Sequence, residues 1–362
     1  MQTEEKDMAN DAPEQLEPLA PIFANDSALG DRQGICFANA SRFIESNFSV
    51  PLTTYATGWK DPNRLDVALE FCAPMVSVGR RFEFMQATNA EEFISEVDDV
   101  RGIGADFNRV EFTSSKVQSK TLNKGLTMRI DLDEVNDLPN YAEIYTGRIM
   151  RRLLRNELRR ACNILSAASL ANANAGPVDQ NPQTLSWTAT SGRDSDMDLT
   201  DAVTRYFDGA GLGPTRALFS HNAWNLRKRS LRNVNVPGGY LNSNMTEQQV
   251  AEFLGLDSIY VSKERMTTGP RLNPTKTPIV GQVLGNLAPN TNPVIIYLAE
   301  SGQTPEDPSN IKRFVSATQG GTPFRVYQAP HGSKFWDITV EHYSLTVATS
   351  TLGLQMLQIS AQ

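Results

Sequence analysis

The sequence predicts an α+β fold, and three features lead to that prediction. Residues 126–133 alternate apolar and polar side chains, a long amphipathic helix follows from residue 141 to about residue 170, and short helices alternate with short apolar strands after residue 199. Blocks of strand and helix of such unequal length are typical of α+β proteins. The chain of 362 residues is long enough to form two or three compact units.

The alternating segment 126–133 is predicted to be a strand with one apolar face. Residues 76–84 repeat the same two-residue period, broken only at Arg80, and we expect the two segments to pair as a hairpin. About forty mostly polar residues join them, whereas neighbouring strands are usually joined by ~2–6 residues. We therefore expect an extended arm or a functional loop between these strands.

The helix is predicted to begin after Asn140, which can cap the first turn with Glu143 as its capping-box partner, and to end before Gly176. At ~1.5 Å per residue it spans roughly 45 Å, a length that suits a scaffold. Gly147 inside it indicates a bend or a close backbone approach. Spacings of three and four place an apolar stripe on one side, made of Met150, Leu154, Leu158, Ala161 and Leu165.

A row of arginines follows another side of this helix, with only Glu157 among them. Like charges at this spacing repel one another unless negative groups lie opposite. Three partners are open: acids elsewhere in the same chain, an acidic arm of a neighbouring copy, and packaged DNA. We predict a charged assembly or DNA-facing surface made of Arg148, Arg151, Arg152, Arg155 and Arg159.

The acidity of the chain is concentrated at its start. Residues 1–31 hold eight acids and one base, a net charge of −7 that equals the net charge of the whole chain. With three prolines and few large apolar residues before Ile22, this segment is predicted to be poorly ordered alone. It is either a solubilising extension or an arm that becomes ordered on a neighbour.

No apolar run approaches the ~18 residues of a membrane span, and no apolar stretch follows a basic start, so we expect neither a membrane partner nor secretory export. Cys36, Cys72 and Cys162 are odd in number and widely spaced. This pattern predicts reduced thiols that serve as small apolar residues.

An α/β unit is predicted after the loop at 176–198. A helix at 200–207, a glycine-rich turn at 209–214 and a buried strand at 216–219 come first, followed by a helix that ends near Leu231. Thr246 opens a capping box for a helix that stops at Gly255, and a strand is expected at 258–261. The remaining predicted strands are 294–298, which reads as a buried central strand, 338–340 and 345–347.

This order of parts resembles the major capsid proteins of tailed bacteriophages, with the Hong Kong 97-like fold that encapsulin shells share. The resemblance rests on the order of the elements and on the residue patterns of segments 151–158, 217–227 and 246–256. It covers nearly the whole chain. It implies a fold with an N-terminal arm, an extended β-hairpin loop, a long spine helix in a peripheral domain, and an α/β axial domain. The segments it implies are an arm at 1–75 with the acidic tail 1–31, an extended loop at 76–135, the spine helix and its connection at 139–198, the axial domain at 199–324, and returning peripheral strands at 325–362.

Residues that could carry chemistry do not assemble into a known motif. Asp194, Asp196 and Asp198 begin like a calcium loop, but the glycine and glutamate that this loop needs are Leu199 and Arg205. The glycines at 209, 211 and 213 fall short of a dinucleotide motif. His221, His331 and His342 are too scattered for a metal pair at helical spacing. We therefore expect no catalytic residue, cofactor or metal.

A second basic cluster, Arg227, Lys228, Arg229 and Arg232, lies near a predicted helix end. Cations there complement the helix dipole, and we favour that role over nucleic-acid binding.

The predicted function is that of a major capsid protein whose copies assemble, as hexamers and pentamers, into an icosahedral shell around double-stranded phage DNA. The resemblance implies non-specific contact with that DNA, a separate scaffold or decoration protein as a further partner, and location in the virion capsid, with assembly in the host cytoplasm. Two alternatives stay open: an encapsulin-like compartment that loads protein, and a cytosolic α/β hydrolase or nucleotide-binding enzyme built on residues 199–324.

Overall fold

A computed structural model provides the coordinates of the chain. The structure describes residues 47–86, 115–135, 137–170, 183–188, 193–233, 239–268, 275–280, 291–300, 304–305, 307, 309–316 and 323–360. The acidic tail 1–31, Cys36 and most of the predicted arm lie outside the described residues.

The described residues form helices and strands in nearly equal measure. The helices are α1 (Val50–Gly58), α2 (Leu65–Cys72), α3 (Leu132–Val135), α4 (Tyr141–Leu170), α5 (Ser195–Ala210), α6 (His221–Asn233), α7 (Gly239–Ser243) and α8 (Glu247–Leu254). The strands are β1 (Met75–Val78), β2 (Arg81–Gln86), β3 (Ser115–Lys120), β4 (Leu122–Asp131), β5 (Gln183–Ser186), β6 (Arg216–Ser220), β7 (Ser258–Ser262), β8 (Arg265–Thr268), β9 (Thr275–Pro278), β10 (Thr291–Tyr297), β11 (Ile311–Ser316), β12 (Phe324–His331), β13 (Phe335–Ala348) and β14 (Gln355–Ser360).

The first sheet is built around the 14-residue strand β13. Its first half pairs with β12 and its second half with β11, while β4 pairs antiparallel along its other edge. The two strands predicted at 338–340 and 345–347 are therefore one continuous strand. β1 completes the sheet by pairing parallel to β11.

The predicted pairing of 126–133 with 76–84 is wrong. β4 pairs with β13 instead, with Ile130 opposite Trp336 and Leu126 opposite Val340. The alternation was nevertheless informative, because Ile130 is buried and Leu126 and Met128 pack beside it against the long helix α4. Alternation identifies the buried face of a strand, but any strand with a matching apolar face can be its partner.

A hairpin does form within the predicted extended loop, from β2 and β3. Arg81 lies opposite Lys120 and Gln86 opposite Ser115. The near end of the hairpin rests on the first sheet, where the ring of Phe82 lies 4.5 Å from that of Phe314. Residues 87–114, which join the two strands, lie outside the described residues.

The long helix α4 covers Tyr141–Leu170, as predicted. All five residues of its predicted apolar stripe are buried. Gly147 marks a close approach, as expected, but the neighbour is a side chain: a Cβ there would lie 3.1 Å from the indole nitrogen of Trp59. The helix packs across the first sheet through Ile149, Met150 and Leu153.

The second sheet has the strand order β5-β14-β10-β6-β7 and helices on both faces. Ala217 and Phe219 of β6 join one core with α5, α6 and α8, whereas Leu218 between them joins a second core with α2 and α4. Burial on both faces explains the continuous apolar run of β10, which was predicted to be a central strand. The capping box of Thr246 and Gln249 and the left-handed Gly255 at the end of α8 are confirmed.

The segment boundaries drawn from the resemblance stay a proposal. The pairings place β1 and β4, from the segment 76–135, in the first sheet beside β12 and β13. β14, from the segment 325–362, lies in the second sheet between β5 and β10. The chain therefore crosses between the two sheets after β13.

The side-chain amide of Asn310, just before β11 of the first sheet, binds α5 and the segments next to β10 and β14 of the second sheet. Its oxygen accepts hydrogen bonds from the Tyr206 hydroxyl and the Leu298 backbone N–H, both at 2.7 Å. Its nitrogen donates to the backbone oxygens of Ser350 and Leu352. All four bonds are buried.

We predict that Asn310→Ala lowers the free energy of unfolding by about 2–4 kcal/mol, because it leaves buried donors and acceptors unpaired. Urea unfolding of the isolated subunit followed by circular dichroism measures this. Asn225→Ala, at an exposed position on α6, is the matched control and is expected to change stability by less than about 0.5 kcal/mol. Equal effects of the two substitutions would contradict the role assigned to Asn310.

Candidate functional site

The arginines of α4 fall into two groups according to their partners. Arg151 donates from Nε to the carboxylate of Asp61 at 2.9 Å, and Arg155 contacts Glu264 at 3.4 Å. These two, here called the paired arginines, therefore neutralise acids of the same chain. The Asp61 side chain is fully buried, so Arg151 compensates a carboxylate that water does not reach.

The unpaired arginines are Arg148, Arg152 and Arg159, which contact no acidic side chain in the part of the chain that the structure describes. Arg148 and Arg152 are exposed and Arg159 is half-buried. The guanidinium of Arg148 lies over the Tyr145 ring at 4.9 Å, which positions it without neutralising it.

The unpaired arginines share one narrow face of α4. At 3.6 residues per turn, positions 148, 152 and 159 lie within about 40° of arc and extend for about 16 Å along the axis. Three positive charges are thus presented in a line on a rigid element. Such a line fits an extended anionic partner, either a phosphate backbone or an acidic peptide.

On the opposite side of α4, Glu157 forms a buried charged network with the first sheet. The carboxylate is 1% exposed and accepts from Arg160 at 2.7 Å, within the same helix. Lys124 of β4 approaches it at 3.2 Å, and Ser344 of β13 donates a hydrogen bond of 3.1 Å. His342, also on β13, places Nε2 3.5 Å away. One carboxylate therefore joins α4 to both β4 and β13.

These neighbours keep the Glu157 carboxyl group ionised. Burial alone would raise the pKa of the Glu157 carboxyl, but Lys124, His342 and Arg160 together hold its pKa well below the usual range. The group therefore stays ionised in the folded protein at neutral pH. An ionised carboxylate at this position attracts the cations of two elements at once.

Other residues singled out in the sequence have structural roles. Asp194 caps α5 by accepting from the Asp196 backbone N–H. Asp196 receives two hydrogen bonds from Arg227, at 2.7 and 2.9 Å, and Asp198 accepts from Trp187 and Arg193. Across the described ranges, no group of three or more His, Cys, Asp or Glu residues is arranged to hold a metal ion.

The basic cluster of α6 contains one residue whose role sequence reasoning missed. Arg227 is fully buried in its pair with Asp196, so it does not simply complement the helix end. Lys228, Arg229 and Arg232 stay at the surface with Asn225, around an open pocket. The position of Arg227 four residues after the apolar Ala223, on the same side of the helix, was the available signal, but its acid lies 31 residues earlier.

One solved structure shares the fold of this chain over most of its length. A phage-related protein from Bordetella bronchiseptica RB50 aligns with a TM-score of 0.57 at 15% identity, over 86% of this chain and 96% of that one. The α+β fold predicted from the sequence is confirmed. A likeness at this identity shows the fold alone.

Two further structures align less closely. The mature capsid of bacteriophage PhiM1 gives a TM-score of 0.46 at 13% identity, over 81% of this chain and 87% of that one. A virus-like particle from Pyrococcus furiosus gives 0.44 at 11% identity, over 87% of this chain and 100% of that one. Both TM-scores lie below 0.5.

No protein-family model matches the sequence, and the comparison with curated proteins finds no match. None of the described helices is both long and apolar enough to cross a membrane.

We predict that Glu157→Gln lowers the free energy of unfolding by about 3–5 kcal/mol at pH 7, because Lys124 and Arg160 then lose their buried counter-charge. The effect has a definite pH dependence. Because the folded-state pKa lies below the unfolded value, the stabilisation is complete above the unfolded pKa of about 4.3 and is lost as pH falls through the folded pKa.

Urea unfolding between pH 3 and 7 measures both effects. The wild-type subunit is expected to lose stability on acidification, and the difference from Glu157→Gln is expected to shrink below about pH 4. Glu143→Gln, at an exposed position of the same helix, is the control. A constant difference between wild type and Glu157→Gln across this pH range would contradict the ionised network.

Proposed function

We propose that this protein is a structural shell subunit, the major capsid protein of a tailed bacteriophage, and that it is not an enzyme. The observation that carries the proposal is the fold shared with a phage-related protein over 86% of this chain. Fold alone does not establish function, so the proposal also rests on the surfaces of the molecule.

Two features of the structure suit assembly through many copies. The hairpin β2–β3 and the long helix α4 are extended elements, which can contact several neighbours at once. Leu138 and Ile144, near the start of α4, keep 45% and 43% of their surface exposed although they are apolar. Apolar side chains of this kind contribute to interfaces when a second copy covers them.

The proposed mechanism is geometric. Copies gather as hexamers and pentamers, each through several modest contacts that together give a stable closed shell while misplaced copies still dissociate. A separate scaffold or decoration protein is a further proposed partner. The proposed location is the virion capsid, with assembly in the host cytoplasm.

We further propose that the shell encloses double-stranded DNA through non-specific contacts. The unpaired arginines support this proposal, because they present three charges in a line with no acidic partner in the part of the chain that the structure describes. A duplex carries one negative charge per ~1.7 Å of its axis, so a 16 Å row of cations meets several phosphates. The paired arginines, Arg151 and Arg155, are not part of this proposed surface, because acids of their own chain occupy them.

We predict that the purified protein, alone or with its scaffold, forms closed particles tens of nanometres across. Negative-stain electron microscopy and sedimentation velocity measure this. DNA inside the particles supports the capsid, whereas a protein cargo without DNA identifies an encapsulin-like compartment. A small monodisperse oligomer with catalytic turnover would support the enzyme alternative and contradict the proposal.

The unpaired and paired arginines allow a matched comparison. We predict that Arg148→Gln/Arg152→Gln/Arg159→Gln leaves subunit melting unchanged, because none of the three pairs with an acid among the described residues, but lowers particle yield or DNA retention. Arg151→Gln/Arg155→Gln is expected to lower the free energy of unfolding by about 1–3 kcal/mol, because the buried Asp61 carboxylate loses its partner. Glutamine keeps helix propensity in both variants.

Salt dependence identifies the partner of the unpaired arginines. If duplex DNA is the partner, the logarithm of the DNA-binding constant depends less steeply on the logarithm of the salt concentration in the triple variant. At about 0.9 per phosphate contact, the loss of three contacts lowers the magnitude of this slope by about 2.7. A triple variant that melts well below wild type while assembly and DNA content stay normal would assign these arginines to the internal fold.

A further inference from the structure

Two cysteines lie in contact inside the protein. The sulfur of Cys72, the last residue of α2, is 3.9 Å from that of Cys162, in the last third of α4. Both are free thiols and both are buried, at 1% and 2% exposure. The sequence predicted only that these residues act as small apolar groups, and nothing in their 90-residue separation indicated a contact.

The surrounding packing holds the two sulfurs toward each other. Leu65, Leu69 and Leu158 are each 1% exposed or less and lie in the same core as both cysteines. α2 is a short helix of eight residues, and its N-cap Arg64 has a left-handed backbone and no side-chain capping bond. The C-terminal end of α2 is anchored, because Arg216 and Tyr297 donate hydrogen bonds to the backbone oxygens of Glu70 and Phe71, so the movement that joins the sulfurs has to be small.

We propose that Cys72 and Cys162 are an oxidative cross-linking site, which forms a disulfide between α2 and the long helix when the protein meets a peroxide. The sulfurs must approach by about 2 Å to reach the ~2.05 Å of an S–S bond. Rotation about the two Cα–Cβ bonds and a small shift of α2 supply that movement. The proposal is independent of the shell function, because it concerns a contact within one subunit.

The chemistry balances with hydrogen peroxide as the oxidant. One cysteine, as its thiolate, attacks a peroxide oxygen, the O–O bond breaks, and a sulfenic acid and hydroxide form. The second sulfur attacks the sulfenic sulfur, the S–O bond breaks, and a second hydroxide leaves. The two thiol protons convert both hydroxides to water, so two thiols lose two electrons and one peroxide becomes two waters. No bulky mixed disulfide has to fit into the core.

The site is expected to react slowly at neutral pH. The hydrogen bond with Cys72 and burial raise the pKa of the Cys162 thiol well above its usual range, and the thiolate is the reactive form. Oxidation is therefore expected to accelerate with rising pH. It is also expected to need local opening of α2, because the peroxide has to reach a buried sulfur.

Once formed, the bond would close a long loop that contains β1, the hairpin, β4 and the first two-thirds of α4. A cross-link across a loop of this length restricts the unfolded chain strongly and so favours the folded state. The oxidised subunit is therefore expected to melt about 5 °C or more above the reduced one.

The test uses the full chain with Cys36→Ala, which leaves Cys72 and Cys162 as the only cysteines. The protein is treated with hydrogen peroxide at pH 7 and pH 9, remaining thiols are alkylated in denaturant, and non-reducing peptide mass spectrometry follows. We expect a peptide joining Cys72 to Cys162 that is two hydrogens lighter than its parts, faster formation at pH 9, and a rise in melting temperature that dithiothreitol reverses. Cys36→Ala/Cys72→Ala is the control, in which peroxide is expected to produce no intramolecular link and no rise in melting temperature.

Two results would overturn the proposal. One is that both thiols are still fully alkylated after prolonged treatment with peroxide at pH 9, while dithiothreitol has no effect on the melting temperature. The other is that the residues oxidise separately to sulfinic acid without the linked peptide, which would show that the sulfurs cannot approach.

Discussion

The buried carboxylate of Glu157 fixes the long helix relative to the first sheet. It contacts both β4 and β13, through Lys124 and Ser344. Apolar packing between a helix and a sheet tolerates sliding, because the hydrophobic effect has little direction. A buried charge with partners on two strands prevents such sliding. A shift of even one residue would leave the carboxylate or its lysine unpaired in the core. We infer that the network sets the register of the helix more than it adds to overall stability, which agrees with the modest net value of buried ion pairs.

Fixing the register of α4 also fixes what its outer face presents. The paired arginines turn toward Asp61 and Glu264, and the unpaired arginines are left in a line on the adjacent arc. The division is electrostatic and follows from the fold, because the two acids come from the segment before α2 and from the turn after β7. In the proposed shell, a helix held this rigidly would keep the spacing of its charges constant from copy to copy. Constant spacing matters when many weak contacts must add up in one closed assembly.

The sequence predicted the elements that are determined by side-chain patterns within a short segment. The thirty-residue helix, its apolar stripe, the capping box at Thr246 and the buried strand β10 all follow from side-chain spacing within a single element. The partner of β4 could not be predicted in this way, because the alternation within β4 defines only its buried face. β13 offers a longer matching edge than residues 76–84 do. The candidate site was predicted in part. The row of arginines was visible, but its division into two groups depends on acids 90 and 109 residues away. Glu157 stood out as the single acid among them, yet its burial depends on His342 and Lys124, which only the folded chain brings together.

Native-state hydrogen exchange on the isolated subunit tests the rigid attachment of the helix most directly. If the Glu157 network unites α4 with the first sheet, the amides around Leu153–Leu158 and those around Ile338–Leu345 open together, with the free energy of global unfolding. In Glu157→Gln, the helix amides are then expected to open at lower free energy than those of β13. Helix amides that already exchange well before those of β13 in the wild-type subunit would show that the helix moves independently, and would contradict the account.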